Sequence, residues 1–192
     1  MDAERTEIGT IGEFGLIAEI TKGLETTREE TILGVGDDAA ILNIKQGHHT
    51  VLSTDMLCEG IHFDLSYSPL KHLGYKAIVV NLSDICAMNA TPTQVVVGLA
   101  LSNRFSVEAV KELYNGMRLA CTRYGVDLVG VDTTSSKSGL ALSVTAVGQV
   151  DPDKVTQRGG AKAGGDCLRA DTCLHTRSQI ECNKDSNLAQ EP

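Results

Sequence analysis

The sequence predicts an α+β fold in which a mixed β-sheet is layered with helices. Short apolar runs alternate with longer segments of helical periodicity, and 42% hydrophobic residues in 192 are enough for one sizeable core. Strands are predicted at 31–35, 39–44, 50–54, 94–101, 126–131 and 140–150. Helices are predicted at 11–22, 69–88 and 107–124.

Apolar residues at three- and four-residue steps predict the first and third helices. Phe14, Ile17 and Ile20 mark the apolar face of the first helix. Ser106 is expected to cap the third helix, because a side-chain oxygen at that position accepts a hydrogen bond from a free backbone N–H. The buried stripe of the third helix is predicted to comprise Val110, Leu113, Met117 and Cys121.

The second helix is predicted to begin at Ser68-Pro69, with serine as the cap and proline at the first helical position. Only Gly74 interrupts the run that follows, which extends to residue 88. Asn81 and Asp84 form a polar pair on its apolar face. An aspartate near a helix C-terminus is opposed by the helix dipole, so Asp84 indicates a functional role.

Carboxylates recur at the expected ends of these apolar elements. Five aspartates lie in such places, and oxygen donors without histidine or cysteine among them favour Mg²⁺. Taken singly, each aspartate is explained as a turn residue, and Asn81 with Asp84 as a buried hydrogen-bonded pair. Taken together, that explanation weakens. The five are Asp37, Asp38, Asp55, Asp84 and Asp132.

The glycines of the first acidic segment match a loose dinucleotide pattern, Gly34-x-Gly36-x-x-Ala39. A strand is predicted after this segment instead of the helix that would receive a pyrophosphate, and two aspartates occupy the loop. A Rossmann site is therefore improbable. No GxxxxGK[ST] segment occurs either, so any ATP would be held without a P-loop lysine.

Charge and cysteine content restrict the class of protein further. A net charge of −8 disfavours nucleic acid as a partner. The polar N-terminus predicts neither a signal peptide nor a membrane anchor, and hence a cytoplasmic protein. Cys58, Cys86 and Cys121 show no metal-type spacing and are interpreted as reduced, buried residues.

Four motifs resemble, in order and spacing, those of the thiamine-monophosphate kinase family. They are GVGDDAA at 34–40, STDMLCEGIHF at 53–63, YKAIVVNLSDICAMNA at 75–90 and GVDTT at 130–134. The resemblance covers about the first 160 residues. The wider superfamily, which includes aminoimidazole ribonucleotide synthetase, shares the ATP-binding architecture.

The resemblance implies transfer of the γ-phosphoryl group of ATP to thiamine monophosphate, which gives thiamine diphosphate. The acceptor is already an anionic phosphate oxygen, so no side-chain nucleophile or base is expected, and positioning and charge neutralisation by Mg²⁺ would suffice. The family fold implies a homodimer in which two sheets pair and ATP lies in a cleft shared between subunits.

The resemblance also assigns site residues. His62 would contact the thiamine phosphate, although a lone histidine beside Phe63 is more often a packed surface residue. Tyr114, Val131 and Arg158 would contact ATP, although a helical tyrosine is more often core. The implied Mg²⁺ ligands are Asp37, Asp38, Ser53, Thr54, Asp55, Asp84 and Asp132.

The chain departs from the family pattern at three places. Val131 replaces a glycine and would crowd the phosphates. Asn89 replaces another glycine and is expected to be tolerated, because asparagine accepts left-handed backbone. The resemblance is expected to stop beyond residue 165, which divides the chain into an ATP- and Mg²⁺-binding domain at 1–155, the start of a linker at 156–164 and an atypical, unstructured tail at 165–192.

Two alternatives to the kinase remain open. The chain is either a non-catalytic module that dimerises and binds Mg-nucleotide, or another enzyme of the superfamily with a different phosphate acceptor. The expected absence of a second domain favours the first of these.

Overall fold

The structure is a computed structural model and describes residues 5–160, so the predicted tail at 165–192 lies outside the described residues. The helices are α1 (Ile8–Thr21), α2 (Leu70–Ala87) and α3 (Val107–Tyr124). Two short 3₁₀ helices span Pro152–Lys154 and Arg158–Gly160. The strands are β1 (Thr31–Leu33), β2 (Ile41–Leu42), β3 (His49–Cys58), β4 (Thr91–Leu101), β5 (Asp127–Ser135) and β6 (Leu140–Val150).

A four-stranded mixed sheet organises the chain, in the order β3-β6-β4-β5. The pairs β3–β6 and β4–β6 are antiparallel and β4–β5 is parallel, whereas β1 and β2 form a separate antiparallel pair. The predicted α+β class is therefore confirmed. β3 and β5 are the two opposite edges of the larger sheet, which matters for the site below.

The helices α2 and α3 cover one face of this sheet. Alternate residues of β6, among them Leu142, Val144 and Ala146, are fully buried, because side chains along a strand alternate between its two faces. The two helices cross so closely that a Cβ on Gly74 would lie 1.9 Å from the Leu113 carbonyl oxygen. Gly74 therefore does not interrupt α2. It allows the close packing of α2 against α3.

The other face of the sheet carries exposed apolar side chains. Leu52 and Met56 on β3 are 67% and 61% exposed, and Val96 on β4 is 38% exposed. No helix within residues 5–160 is both long and apolar enough to span a membrane.

The third helix matches its prediction closely. The Ser106 side chain accepts from the Ala109 backbone N–H at 3.3 Å, and the four residues of the predicted stripe are all buried. Cys121, in that stripe, is the only one of the three predicted core cysteines to be buried, since Cys58 and Cys86 are partly exposed. Burial, with the nearby charge of Asp127, raises the pKa of the Cys121 thiol to about 12.

The first helix exists, and of its predicted apolar face Ile20 is buried and Ile17 partly buried, but the placement of Phe14 on that face is wrong. Leu16 and Ile20 are buried, whereas Phe14 is 87% exposed. The contact face follows a four-residue step instead of the three-residue step inferred from the sequence. Gly12 also has non-helical backbone angles (φ 68°, ψ −179°), which interrupt the helix before Phe14.

The ends of several other elements differ from their predictions. Pro69 occupies the N-cap position of α2 without a side-chain cap, so the predicted Ser68 cap is wrong. β1 and β2 are shorter than predicted, whereas β3 and β5 extend past Asp55 and Asp132. β3 is long because β6 pairs with it along its whole length, with Asp55 opposite Val144, and this pairing outweighs the local polarity.

Candidate metal and substrate site

The side of β3 that faces α2 forms a polar wall, defined by Ser53, Asp55, Asn81 and Asp84. The Ser53 hydroxyl lies 3.1 Å from Asp84 Oδ2, and the Asp55 backbone N–H donates to Asn81 Oδ1 at 3.1 Å. Asn81 is fully buried and its amide also donates to the Ala77 carbonyl oxygen at 2.9 Å. The predicted polar pair of α2 therefore bonds to β3 through both of its members.

The polar wall offers oxygen donors that fit Mg²⁺. Asp55 and Asp84 are exposed, and the Ser53 hydroxyl lies against the Asp84 carboxylate. Within the described residues, no group of three or more His, Cys, Asp or Glu side chains is arranged to hold a metal alone. Mg²⁺ does not require such a group, since it keeps several waters and binds one or two carboxylates together with substrate phosphates.

Thr54 is placed apart from the polar wall, although it lies between Ser53 and Asp55. Its hydroxyl donates to the Val144 carbonyl oxygen at 3.2 Å and accepts from the Thr145 hydroxyl at 3.0 Å. Consecutive strand residues point to opposite faces, so this hydroxyl lies on the face away from α2. The structure does not bring the Thr54 side chain together with those of its neighbours.

Asp132 lies on β5, at the opposite edge of the sheet from Asp55. Three strand spacings, roughly 14 Å, separate the two edges. Asp132 is exposed, and its negative charge adds to the effect of burial in raising the pKa of Tyr114. The Tyr114 hydroxyl is buried without a hydrogen-bond partner in the described part of the chain.

Val131, beside Asp132, pairs with Val97 and packs its side chain against the hydrophobic core. Arg158 is exposed at the start of the last short helix. Asn89 adopts a left-handed backbone (φ 59°), as predicted for an asparagine in a glycine position. Its side chain also donates to the Lys154 carbonyl oxygen at 2.8 Å, which ties the end of α2 to the segment that leads to Arg158.

The acidic loop, residues 34–40, joins β1 to β2 on the β5 side of the molecule. Asp37 and Asp38 are exposed, and the Asp38 backbone N–H donates to Asp37 Oδ1 at 2.8 Å. Gly36 has a φ of 133°, a backbone conformation that favours glycine. Gly36 and Leu128 line the same cleft of about 290 Å³, so the loop lies beside the start of β5.

His62 lies in a tight turn that follows β3. The Cys58 backbone N–H donates to His62 Nδ1 at 3.0 Å, and the His62 N–H donates to the Cys58 carbonyl oxygen at 2.9 Å. His62 is exposed, whereas the neighbouring Phe63 is buried. The His62 imidazole is exposed and bonded to the Cys58 backbone, so its contact with a substrate stays a prediction.

Asp127 was missed in the sequence, although it lies within an apolar run, between Val126 and Leu128. It is only 2% exposed and accepts from the backbone N–H groups of Thr27 and Arg28 at 2.9 and 3.1 Å. Burial is the largest influence and would raise its pKa, but hydrogen bonds from Thr27, Thr31 and Arg28 outweigh it and lower the pKa. A charged residue inside an apolar run is the signal that identifies it.

Asp127 supports the acidic loop indirectly. The segment that it holds includes Thr27, next to Thr26, and a Cβ on Gly34 would lie 2.9 Å from Thr26 Cγ2. The start of the loop therefore packs directly against a segment that Asp127 fixes.

The chain is similar to several known proteins. The thiamine-monophosphate kinase of Bacillus subtilis (strain 168) is 36% identical over 151 residues, which are 78% of this chain and 46% of the relative. The Escherichia coli K12 enzyme is 34% identical over 186 residues, 92% of this chain and 56% of that protein. This second match necessarily continues beyond residue 165, where the sequence analysis expects the resemblance to stop.

A solved structure, AaThiL complexed with AMPPCP and TMP, has a TM-score of 0.57 and 30% identity and covers 84% of this chain and 48% of that one. The chain spans about half the length of the relatives it matches. The predicted resemblance to thiamine-monophosphate kinase is confirmed. Residues 36–150 also match the family described as AIR synthase related protein, N-terminal domain. Because that match covers more than half of the chain, the protein belongs to the AIR synthase related family and carries its N-terminal domain.

Proposed function

We propose that this chain is the Mg²⁺- and ATP-binding part of a thiamine-monophosphate kinase, which transfers the γ-phosphoryl group of ATP to thiamine monophosphate. The observation that carries the proposal is the polar wall, where Ser53 and Asp84 lie 3.1 Å apart beside Asp55. Relatives named for this activity, and a related structure in complex with AMPPCP and TMP, support it.

Asp55 and Asp84 would hold Mg²⁺ on the polar wall, with Ser53 as a further oxygen donor. When bound, the metal supplies positive charge that neutralises the transferring phosphates. The polar wall makes such positive charge necessary, because its carboxylates would otherwise repel a triphosphate. Asp37, Asp38 and Asp132 would complete the ligands, and Thr54 would contribute through its backbone because its hydroxyl is already bonded on the other face.

The chemistry of the acceptor accounts for the absence of a predicted general base. A phosphate monoester presents an anionic oxygen as the acceptor, so no proton has to be removed before attack. The residues need only align the two phosphates and stabilise their charge. His62 would position the acceptor phosphate through its imidazole.

Tyr114, Val131 and Arg158 would contact the nucleotide. Of these three residues, Tyr114 alone lines the cleft of about 260 Å³ between α1 and α3, together with Lys111 and Arg118. Two buried polar atoms of its lining residues, Tyr114 Oη and Arg118 Nε, have no partner in the described part of the chain. Unpaired buried donors are costly, which favours a hydrogen-bonding ligand here.

The dimer is part of the same proposal. The open face of the sheet, with Leu52, Met56 and Val96 exposed, would pair with the same face of a second copy. A second copy would also place its β5 edge near the β3 edge of the first. The ATP cleft would then lie at the sheet edges, where Asp132 of one subunit approaches the β3 edge of the other, because the polar wall itself faces α2 and not the open face.

The experiment is an assay of the purified chain with ATP, Mg²⁺ and thiamine monophosphate, in which thiamine diphosphate is measured by chromatography. Product is expected, and Asp84→Asn should lower its rate by at least about tenfold, since a metal ligand is lost. Asp153→Asn, an exposed aspartate in the segment after β6, is the matched control and should leave the rate unchanged.

Binding of AMPPCP, followed on the same sample, separates the alternatives. Mg²⁺-dependent binding without product would favour the non-catalytic module, and product formed only with another phosphate acceptor would favour a different superfamily enzyme. The absence of both binding and product would overturn the proposed function.

A further inference from the structure

We propose that Glu59 and Arg104 form a positioning pair that keeps the turn at 58–63 closed, so that the Cys58 backbone N–H holds the His62 imidazole in a single tautomer with Nε2 as the donor to a phosphate monoester. The inference rests on the proposed function only for the identity of that ligand. The geometry of the pair and of the turn is independent of it.

The turn from 58 to 63 is closed by its own hydrogen bonds. Besides the two bonds between Cys58 and His62, the Gly60 N–H donates to the Phe63 carbonyl oxygen at 2.8 Å. Gly60 has a φ of 79°, a conformation that favours glycine. Phe63 is 6% exposed and anchors the end of the turn in the core.

The hydrogen bond to Nδ1 decides the chemistry of the imidazole. A backbone N–H is always a donor, so His62 Nδ1 must be the acceptor in its bond with Cys58. The neutral ring therefore carries its proton on Nε2, which can donate to a phosphate oxygen. Lys76 donates its ammonium to the His62 carbonyl oxygen at 3.1 Å and adds positive charge beside the same turn.

Glu59 attaches this turn to the start of β6. Its carboxylate forms an ion pair with Arg104 and accepts from the Leu140 backbone N–H at 3.0 Å. Its own backbone N–H donates to the Leu140 carbonyl oxygen at 3.0 Å. The Glu59 side chain is 19% exposed and the Arg104 side chain 50% exposed, so the pair is shielded from solvent on its Glu59 side.

Arg104 is itself fixed in place. Its guanidinium lies 4.9 Å from the centre of the Phe105 ring, and Phe105 is buried. Gly139 turns beneath the pair with a φ of 73°, and a Cβ there would lie 3.3 Å from Glu59 Oε2. Through Glu59, the His62 turn is therefore joined to the segment that contains Arg104 and to the start of β6 at Leu140.

The test measures the His62 tautomer directly, by long-range ¹H–¹⁵N correlation spectra of the labelled full chain, with His62→Gln to assign the signals. The wild-type spectrum should show the proton on Nε2. Glu59→Ala should produce a mixture of tautomers and weaken thiamine monophosphate binding by about five- to tenfold, the loss expected when one aligned hydrogen bond is disrupted. AMPPCP affinity should change by less than about twofold.

Glu29→Gln, at an exposed glutamate away from the turn, is the control and should change neither signal. Arg104→Ala provides a second disruption should Glu59→Ala not fold. Glu59→Gln should have a smaller effect on the tautomer than Glu59→Ala, because its amide oxygen still accepts from the Leu140 backbone N–H. A pair with only a structural role would lower the melting temperature without changing the tautomer.

An unchanged tautomer in folded Glu59→Ala and Arg104→Ala would overturn the inference. Because the tautomer is read without ligand, this result is distinct from failure of the proposed function, which would show as an absence of thiamine monophosphate binding to the wild-type chain.

Discussion

The two parts of the candidate site differ in how the fold holds them. The polar wall is built into the core, because Asn81 is fully buried and bonds both to its own helix and to the β3 backbone. The acidic loop and Asp132 lie at the other edge of the sheet and are exposed. The Asp37 carboxylate bonds to the next backbone N–H, a local contact within the loop.

Because of this difference, substitutions in the two regions should affect folding stability and ligand binding differently. Residues beneath the polar wall should affect both, since the same contacts pack the helices and align the donors. Exposed residues of the acidic loop should affect binding alone, because little of the core depends on them. Four substitutions test this contrast.

Gly74→Ala should have the largest effect. Its new Cβ would lie 1.9 Å from the Leu113 carbonyl oxygen, and backbone cannot move aside as a flexible side chain does. We expect a loss of about 3 kcal/mol in the free energy of unfolding, measured by urea denaturation. Gly9→Ala is the control, because Gly9 is also helical but a Cβ added there would meet no neighbouring atom within 4 Å. A loss below about 0.5 kcal/mol for Gly74→Ala would refute the close crossing.

Asn81→Ala should come next. It removes the acceptor of the Asp55 backbone N–H and leaves a buried site with unpaired backbone, at a cost of about 2 kcal/mol. Because Asp55 loses its alignment, Mg²⁺-dependent AMPPCP binding should weaken in the same variant. Asn103→Ala, at an exposed position, provides the comparison. Normal binding by a folded but destabilised Asn81→Ala would show that the wall and the core are not coupled.

Asp127→Asn tests the support beneath the acidic loop through its pH dependence. The folded pKa of Asp127 is lowered, so its carboxylate contributes stability above the unfolded pKa, near 3.9, that is lost as pH falls through the folded pKa. We expect the variant to lose about 1–2 kcal/mol near pH 7, and less as the pH approaches about 3. Unfolding curves over this range measure the difference, and a difference independent of pH would contradict the assignment.

Asp38→Asn should have the smallest effect on stability, within about 0.5 kcal/mol, because its side chain is exposed. Mg²⁺-dependent AMPPCP binding should nevertheless weaken. Calorimetric titration and thermal melting of one sample provide both values. A large stability loss with unchanged binding would reverse the contrast between the two regions.

Much of the fold is encoded locally. The cap at Ser106, the apolar stripe of α3 and the bounds of β6 all depend on neighbouring residues, and the sequence predicts them correctly. The length of β3 was predicted wrongly because Asp55 is polar, yet pairing with β6 continues the strand beyond it. No local signal shows that pairing, since it joins residues about ninety positions apart.

The site shows the same division. Motif spacing identifies Asp55, Asp84 and His62 as candidates. The predicted strand at 50–54 already implies that the Ser53 and Thr54 hydroxyls lie on opposite faces of the sheet, because side chains alternate along a strand. The sequence does not show that Asp132 lies at the far edge, because strand order is a property of the whole chain.

The most direct test of a metal held on the polar wall is calorimetric titration of the wild-type chain and Asp55→Asn with AMPPCP, in Mg²⁺ and in EDTA. We predict that the wild-type chain binds at least about tenfold more tightly in Mg²⁺, a difference of about 1.4 kcal/mol, and that Asp55→Asn abolishes this difference. Equal wild-type affinity in both conditions, or an Asp55→Asn chain that keeps the full Mg²⁺ effect, would contradict the account.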